Sequence, residues 1–225
     1  MITALIPARG GSKGIPRKNL VDVCGKPLVA WSINQALQSD LVTRVVVSSD
    51  CRNIGAVANA CGAEWLERPE NISGDTATTE TAIAHFLGHY EPSLVVLLQP
   101  TSPIRQPDDI DNAIGTYRKA SADSLFSACD VEGYTWQDSA IGALHPNYDP
   151  DMRERRQERG EQTIEENGSI YVFSPQIFRR FGNRLGGRVA TYKMHRLDSY
   201  QVDTPDDLEL VCSLLPIRLR EAVPC

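Results

Sequence analysis

Short apolar runs separated by longer stretches of helical spacing constrain this chain more than any other feature. Thr3-Ala4-Leu5-Ile6 reads as a buried strand. Leu28 to Leu37 carries apolar residues at helical intervals, with Pro27 suited to a first turn. Val45-Val46-Val47 predicts the next strand, Asn53 to Cys61 the next helix, and Gly62 its stop. Ala63 to Leu66 reads as a short strand and Thr78 to Leu87 as a helix. Leu94 to Leu98 is the most apolar run and predicts a central strand. Pro107 to Lys119 reads as a helix with Asp108 and Asp109 in its first turn, where the dipole favours carboxylates. Ser124 to Ala128 and Ser169 to Phe173 read as further strands. A closing helix is expected from Thr204 to Leu215, with Thr204 as cap and Pro205 at its first position. Alternation of this kind predicts an α/β fold, an open, mainly parallel sheet with helices on both faces. Ligands bind such sheets outside the carboxyl ends of the strands. The loops after Ile6, Val47 and Leu98 are therefore expected to line a site.

The length of 225 residues suits one domain over 1–225 with a substantial core. Gly133 to Glu166 breaks the alternation: it holds Trp136, two prolines and many charges, with little periodicity. That segment reads as an insertion, either a lid or an oligomer contact. A net charge of -6 argues against general nucleic-acid binding, which needs a basic surface. It leaves room for a small anion at a local cluster of Arg and Lys. The apolar part of MITALIPARGGSKG is too short for a membrane span and has no basic region before it, so neither a signal peptide nor a membrane partner is expected. The 6 cysteines show no CxxC spacing, which speaks against a disulfide framework or zinc site and for a cytoplasmic chain. His85, His89, His145 and His195 form neither a triad nor HExxH.

The strongest chemical signal is PARGGSKGIPRKN, Pro7 to Asn19, directly after the first strand. Gly10, Gly11 and Gly14 let the backbone turn tightly, and their N–H groups are candidates to converge on phosphate oxygens. Arg9, Lys13, Arg17 and Lys18 add fixed positive charge. A triphosphate needs this combination. The loop matches neither GxxxxGK[ST] nor GxGxxG. Next comes Gln99-Pro100-Thr101-Ser102-Pro103-Ile104-Arg105, after the most apolar strand. Gln99, Thr101 and Ser102 offer neutral hydrogen-bonding groups, though the segment also reads as a plain strand-to-helix connection. Arg155-Arg156 suits a phosphate or carboxylate, or is merely solvated. Asn167-Gly168 reads as a turn before a strand. Asp203, just before a helix, fits either a Mg²⁺ ligand or a cap.

Taken together, Pro7 to Asn19, Arg68-Pro69, Asp75-Thr76, Gln99 to Arg105, Arg155 to Gln157, Asn167 to Tyr171 and Asp203-Thr204 stand in an order that resembles the acylneuraminate cytidylyltransferase family, the CMP-sialic acid synthetases. The resemblance extends over nearly the whole chain. It implies a Rossmann-like nucleotidyltransferase fold, a homodimer, and transfer of CMP from CTP to a nonulosonic acid with release of pyrophosphate. Carried over by motif, Arg9, Ser12, Lys13, Asn19, Arg68 and Thr79 would bind the nucleotide. Gln99 would meet the sugar acid, Arg156 would be the active-site arginine, and Asp203 would bind the metal, Mg²⁺. The chain departs from the family's Asp-x-Asp at Gln201-Val202-Asp203, where a neutral amide replaces the first carboxylate. Arg156 to Asn167 is also about one residue longer than the family spacing. An octulosonate or phosphonate acceptor, and a CTP-binding regulatory module without catalysis, are the competing readings.

Overall fold

A computed structural model describes residues 1–12, 14–138, 144–153, 155 and 163–219. In chain order the elements are β1 (Ile2–Pro7), β2 (Asp22–Val23), β3 (Lys26–Pro27), α1 (Leu28–Gln38), β4 (Arg44–Ser49), α2 (Arg52–Ala60), β5 (Glu64–Glu67), α3 (Thr79–Leu87), β6 (Leu94–Leu98) and α4 (Asp109–Lys119). They continue with β7 (Ser124–Asp130), β8 (Trp136–Asp138), β9 (Leu144–Pro146), β10 (Ile164–Phe173), α5 (Pro175–Phe181), β11 (Val189–Lys193) and α6 (Pro205–Arg218). The main sheet has seven strands in the order β11-β7-β10-β6-β1-β4-β5. The pairs β1–β4, β1–β6, β4–β5 and β7–β11 are parallel, and β10 runs antiparallel to both its neighbours.

Strand alternation distributes the core. Ala4, Ile6, Val45, Val47, Val96 and Leu98 point to one face, where Ile33 of α1, Ile54 of α2 and Ile114 of α4 cover them. Leu5, Val46, Val95 and Leu97 point to the other, against Ile83 and Phe86 of α3 and Phe178 of α5. All of β6 is buried because both faces are covered. Each such aliphatic side chain contributes roughly 1.5–3 kcal/mol relative to exposure. A third cluster, with Ile15, Val23, Leu28, Ile104, Val202 and Val211, packs α6 onto the loops at the carboxyl edge of the sheet.

Sequence periodicity locates β1, α1, β4, α2, β5, α3, β6, α4 and β7 to within a residue or two, while α6 runs three residues past the expected Leu215 to Arg218. The strand expected at Ser169 begins at Ile164, and a register shift between Glu166 and Tyr171 separates its two paired halves. The 133–166 segment contains the two-stranded β8–β9 sheet before β10 starts. The short strands β2 and β3, the helix α5 and the strand β11 have no counterpart among the expected elements. α5 has 7 residues, and β11 is an edge strand without a fully buried face. α6 starts as expected: Thr204 Oγ1 accepts from Asp207 N at 3.2 Å, and the Asp207 carboxylate accepts from Thr204 N at 2.8 Å.

One buried cation joins the layers. Arg105, 1% exposed, donates through one terminal nitrogen to Ser32 Oγ and Gln35 Oε1, each at 2.9 Å. The other donates to the carbonyls of Gln99 at 2.8 Å and Ser169 at 2.9 Å. Burial pushes its guanidinium down to about 9, partly offset by Asp109, so it stays charged at neutral pH. Replacing Arg105 with Leu removes a donor from four buried or part-buried oxygens, leaving the Gln99 and Ser169 carbonyls with one backbone N–H each and Ser32 Oγ and Gln35 Oε1 without the guanidinium. Arg105→Leu is expected to lower the unfolding free energy by about 3 kcal/mol or more. Urea unfolding reads this as a lower midpoint at an unchanged slope. A variant as stable as the parent would show that the four contacts are incidental.

Candidate active site

The chain order reverses direction at β1: it steps outward through β4 and β5, then returns to lay β6 on the other side of β1. Loops diverge at such a switch point and leave a crevice. A cleft of about 450 Å³ lies there, lined by Pro7, Arg9, Ser12, Gly14, Lys18 and Asn19 from the first loop, by Arg68, Ser73, Ala77, Thr78 and Thr79, and by Gln99, Pro100, Thr101 and Asp203. The loops after β1 and β6 line the site as expected. The loop after β4 does not. Asp50 instead supports the glycine loop from below, its Oδ1 accepting from Gly10 N at 2.9 Å. The segment after β5 forms the opposite wall.

The candidates separate accordingly. Arg9, Ser12, Lys18, Asn19, Arg68, Thr79, Gln99, Thr101 and Asp203 are brought together. Lys13 and Arg156 lie outside the described residues. Gly10 is not in the cleft wall, and its N–H is taken by Asp50 rather than aimed at a phosphate. Gly11 has no heavy atom within 4 Å of where a Cβ would stand. Ser102 is fully buried, off the cleft wall, and its Oγ has no partner among the described residues. Gly14, by contrast, is demanded by packing: a Cβ there would lie 2.2 Å from the Asp203 carbonyl oxygen. The glycine loop and the lead-in to α6 therefore touch backbone to backbone.

The cleft is cationic within an acidic chain. Arg9 reaches the Gly74 carbonyl at 3.3 Å and Asp75 Oδ1 at 3.2 Å, while Asn19 Nδ2 donates to the Arg9 carbonyl at 2.9 Å. Lys18 Nζ sits 2.7 Å from Asp203 Oδ1. Arg68 is buried, and its Nε donates to Ser73 Oγ at 3.0 Å. Burial lowers the Arg68 pKa, Asp50 offsets this, and the Arg9 guanidinium lowers it further. Two guanidiniums close enough to repel each other make a site that gains from an incoming polyanion. The first turn of α3 adds backbone N–H groups and a positive dipole end beside Thr78 and Thr79. Ser73 and Thr78 were not among the candidates; their signal was their place between Arg68 and the α3 start.

A second cavity of about 360 Å³ adjoins the first. Cys129, Glu165, Glu166, Asn167, Arg196, Ser199, Tyr200, Gln201, Asp203 and Asp207 line it. Asp203 borders both cavities. Its side chain is 60% exposed, and the described residues contain no group of three or more His, Cys, Asp or Glu able to hold a metal. One open carboxylate fits a hard cation that arrives with phosphate oxygens and waters, as Mg²⁺ does, and does not fit an all-protein cage.

The cytidylyltransferase family pattern matches residues 3–216. N-acylneuraminate cytidylyltransferase A of Danio rerio is 34% identical over 213 residues, covering 92% of this chain and 49% of that protein. The N-acylneuraminate cytidylyltransferase of Escherichia coli O18:K1:H7 (strain RS218 / NMEC) is 30% identical over 245 residues, covering 99% of this chain and 54% of that protein. The chain thus spans about half the length of the curated relatives it matches. Among solved structures, a CMP:2-keto-3-deoxy-manno-octonic acid synthetase complexed with CTP has a TM-score of 0.73 at 18% identity, covering 99% of both chains. A 4-diphosphocytidyl-2C-methyl-D-erythritol synthase from Anaerococcus prevotii DSM 20548 has a TM-score of 0.69 at 12% identity, covering 95% of this chain and 97% of that one. These two likenesses speak for the fold alone. The sheet order, the crevice at its switch point and a family match over nearly the whole sequence agree, and the chain belongs to the cytidylyltransferase family.

Proposed function

We propose that this chain transfers CMP from CTP to the anomeric hydroxyl of a 2-keto-3-deoxy sugar acid of the nonulosonic, sialic-acid-like kind, releasing pyrophosphate. The observation that carries the reading is the meeting of two cavities at Asp203, one cationic and one rich in hydrogen-bond acceptors. The relatives named N-acylneuraminate cytidylyltransferase favour a nine-carbon acid.

The triphosphate occupies the first cleft, where Arg9, Lys18 and Arg68 offset its charge. The sugar acid occupies the second, where Glu165 and Glu166 accept from hydroxyls and Arg196 faces its carboxylate. Gln99 and Thr101, expected to meet the acceptor, line the first cleft. The anomeric oxygen then bonds to the α-phosphorus as the bond to pyrophosphate breaks. The chain aligns the two reactants and neutralises charge. By the resemblance alone, Lys13 would face the triphosphate and Arg156 would be the active-site arginine; both lie outside the described residues. Asp203 is the residue that would hold Mg²⁺, and the bound ion would neutralise phosphate oxygens and acidify the attacking hydroxyl.

Pyrophosphate release from CTP and Mg²⁺ is the direct test, with N-acetylneuraminate, its deaminated analogue, legionaminate, pseudaminate, an octulosonate and a phosphonate as acceptors. Release with one nine-carbon acid, together with its CMP adduct, is the expected result. Reaction with the octulosonate or phosphonate alone would move the acceptor. CTP binding without turnover across the panel would leave a regulatory module. Asp203→Asn is expected to cut turnover by about 100-fold while CTP affinity changes by less than about fivefold; turnover equal to the parent's would remove Asp203 from the metal role.

We also place the chain in the cytoplasm as a homodimer. Trp136, Leu144 and Met152, exposed by 49%, 59% and 68%, lie in or beside the β8–β9 sheet and would be covered by the second copy. Sedimentation at micromolar concentration should show twice the chain mass, and a monodisperse monomer would rule this out.

A further inference from the structure

Gln201 sits between the two cavities with both ends of its amide engaged. Its Oε1 accepts from Thr101 Oγ1 at 3.2 Å, and its Nε2 donates to the Asn167 carbonyl at 2.8 Å. The next residue continues the seam, Val202 N donating to the Thr101 carbonyl at 2.7 Å. Three separate pieces of chain are thereby stitched together: the loop after β6, the irregular part of β10, and the lead-in to α6. Asp203 follows directly.

Around Asn167 the fold is shaped to receive this amide. Asn167 is itself pinned: its Oδ1 accepts from Ser127 Oγ at 2.6 Å, and its Nδ2 donates to Ser199 Oγ at 2.9 Å. Its carbonyl is thus presented in a fixed direction. Gly168 follows at φ +68°, and a Cβ there would lie 2.6 Å from Gln201 Nε2. Only a residue without a side chain leaves the amide its place.

From this geometry we infer that Gln201 is a positioning residue for the acceptor, and that its amide N–H is the essential group. The inference rests on reading the two cavities as nucleotide and acceptor sites. A carbonyl can only accept, so a carboxylate at position 201 removes the donor and sets one oxygen against another. Asn167, whose carbonyl takes the amide N–H, borders the second cavity together with Gln201, whereas Thr101, on the wall of the first cleft, meets only the amide oxygen. The effect therefore falls on the acceptor. Gln201→Asp, which adds a carboxylate beside Asp203, lowers activity rather than raising it.

The experiment is steady-state kinetics of the unaltered chain and of Gln201→Glu, Gln201→Met, Gln201→Asp, Gly168→Ala and the double variant Gly168→Ala/Gln201→Met. Each is assayed against CTP and against the acid that the unaltered chain uses. Gln201→Glu and Gln201→Met should raise the acceptor KM by about tenfold or more and leave the CTP KM within about twofold. Gly168→Ala should show the same split, and its effect on the acceptor KM should shrink in the double variant, because the methyl no longer meets the amide. A role in stability alone would lower the amount of active enzyme and move neither KM. Equal acceptor KM values for Gln201→Glu and the unaltered chain overturn the inference, as does a gain of activity in Gln201→Asp. If Gly168→Ala does not fold, the Gln201 variants decide. Absence of turnover from the unaltered chain with every acid overturns the underlying reading and the inference with it. Turnover by the unaltered chain with no KM split overturns the inference alone.

Discussion

A fully buried guanidinium holds the carboxyl edge of this sheet together. Two of the residues that turn the chain after β6, Pro100 and Pro103, lack an N–H, so beyond Ser102 N, which meets the Gln99 carbonyl at 3.1 Å, the loop draws further donors from side chains and from the lead-in to α6. They arrive from three directions. Arg105 serves the carbonyl of Gln99, Gln35 Nε2 serves that of Pro103 at 2.8 Å, and Val202 N serves that of Thr101. Arg105 also reaches Ser169 on β10 and Ser32 on α1. Burying a charge is costly, and neutral oxygens recover it less fully than a carboxylate. In return, one side chain fixes the end of β6 against both a neighbouring strand and a helix, which is where Gln99 must be rigid.

The electrostatics follow a similar logic of support from beneath. Asp50 accepts from Gly10 N and offsets the charge of buried Arg68. It thus anchors the first loop and sustains the opposite wall without entering the cleft. Arg9 is drawn across to Asp75 and the Gly74 carbonyl, and Lys18 to Asp203. Positive charge is held in place by acidic partners at the rim while the chain as a whole carries -6. An incoming phosphate would compete for these cations with two exposed carboxylates, Asp75 and Asp203. Such pairs are weak in water, so exchanging them for a triphosphate costs little.

Much of this is legible in the sequence. β1, β4 and β6 are short apolar runs that suit strands covered on both faces, their alternation with helices points to a mainly parallel sheet, and the glycine loop after Ile6 marks the crevice. Thr204-Pro205 stated the start of α6 because capping chemistry is local. What was hidden depends on long-range pairing. Nothing in Ile164-Glu165-Glu166 marks a strand, because those residues gain their partners only from β7. Gly10 resembles a phosphate donor until Asp50, 40 residues on, is found to hold its N–H. Ser102 resembles a ligand contact until the loop turns it inward. Local pattern predicts which segments approach the site; the direction of each side chain is decided by contacts that the pattern does not contain.

The position of Asp203 shows how little freedom that leaves. On one side Gly14 approaches its carbonyl so closely that a methyl group has no room, and Lys18 holds its carboxylate. On the other, Gln201 and Val202 are sewn to Thr101. Ahead of it, Asp207 accepts from its N–H at 3.1 Å and begins α6. A carboxylate that borders both cavities has to be placed by the walls of both at once. A hydrogen-bonded amide two residues earlier achieves this without adding charge. A second carboxylate there would have to be neutralised before it could be packed, because the Asn167 carbonyl beside it offers no proton. The neutral amide is therefore consistent with the surrounding backbone, and the single exposed carboxylate of Asp203 is the form in which this chain presents negative charge where its two cavities meet.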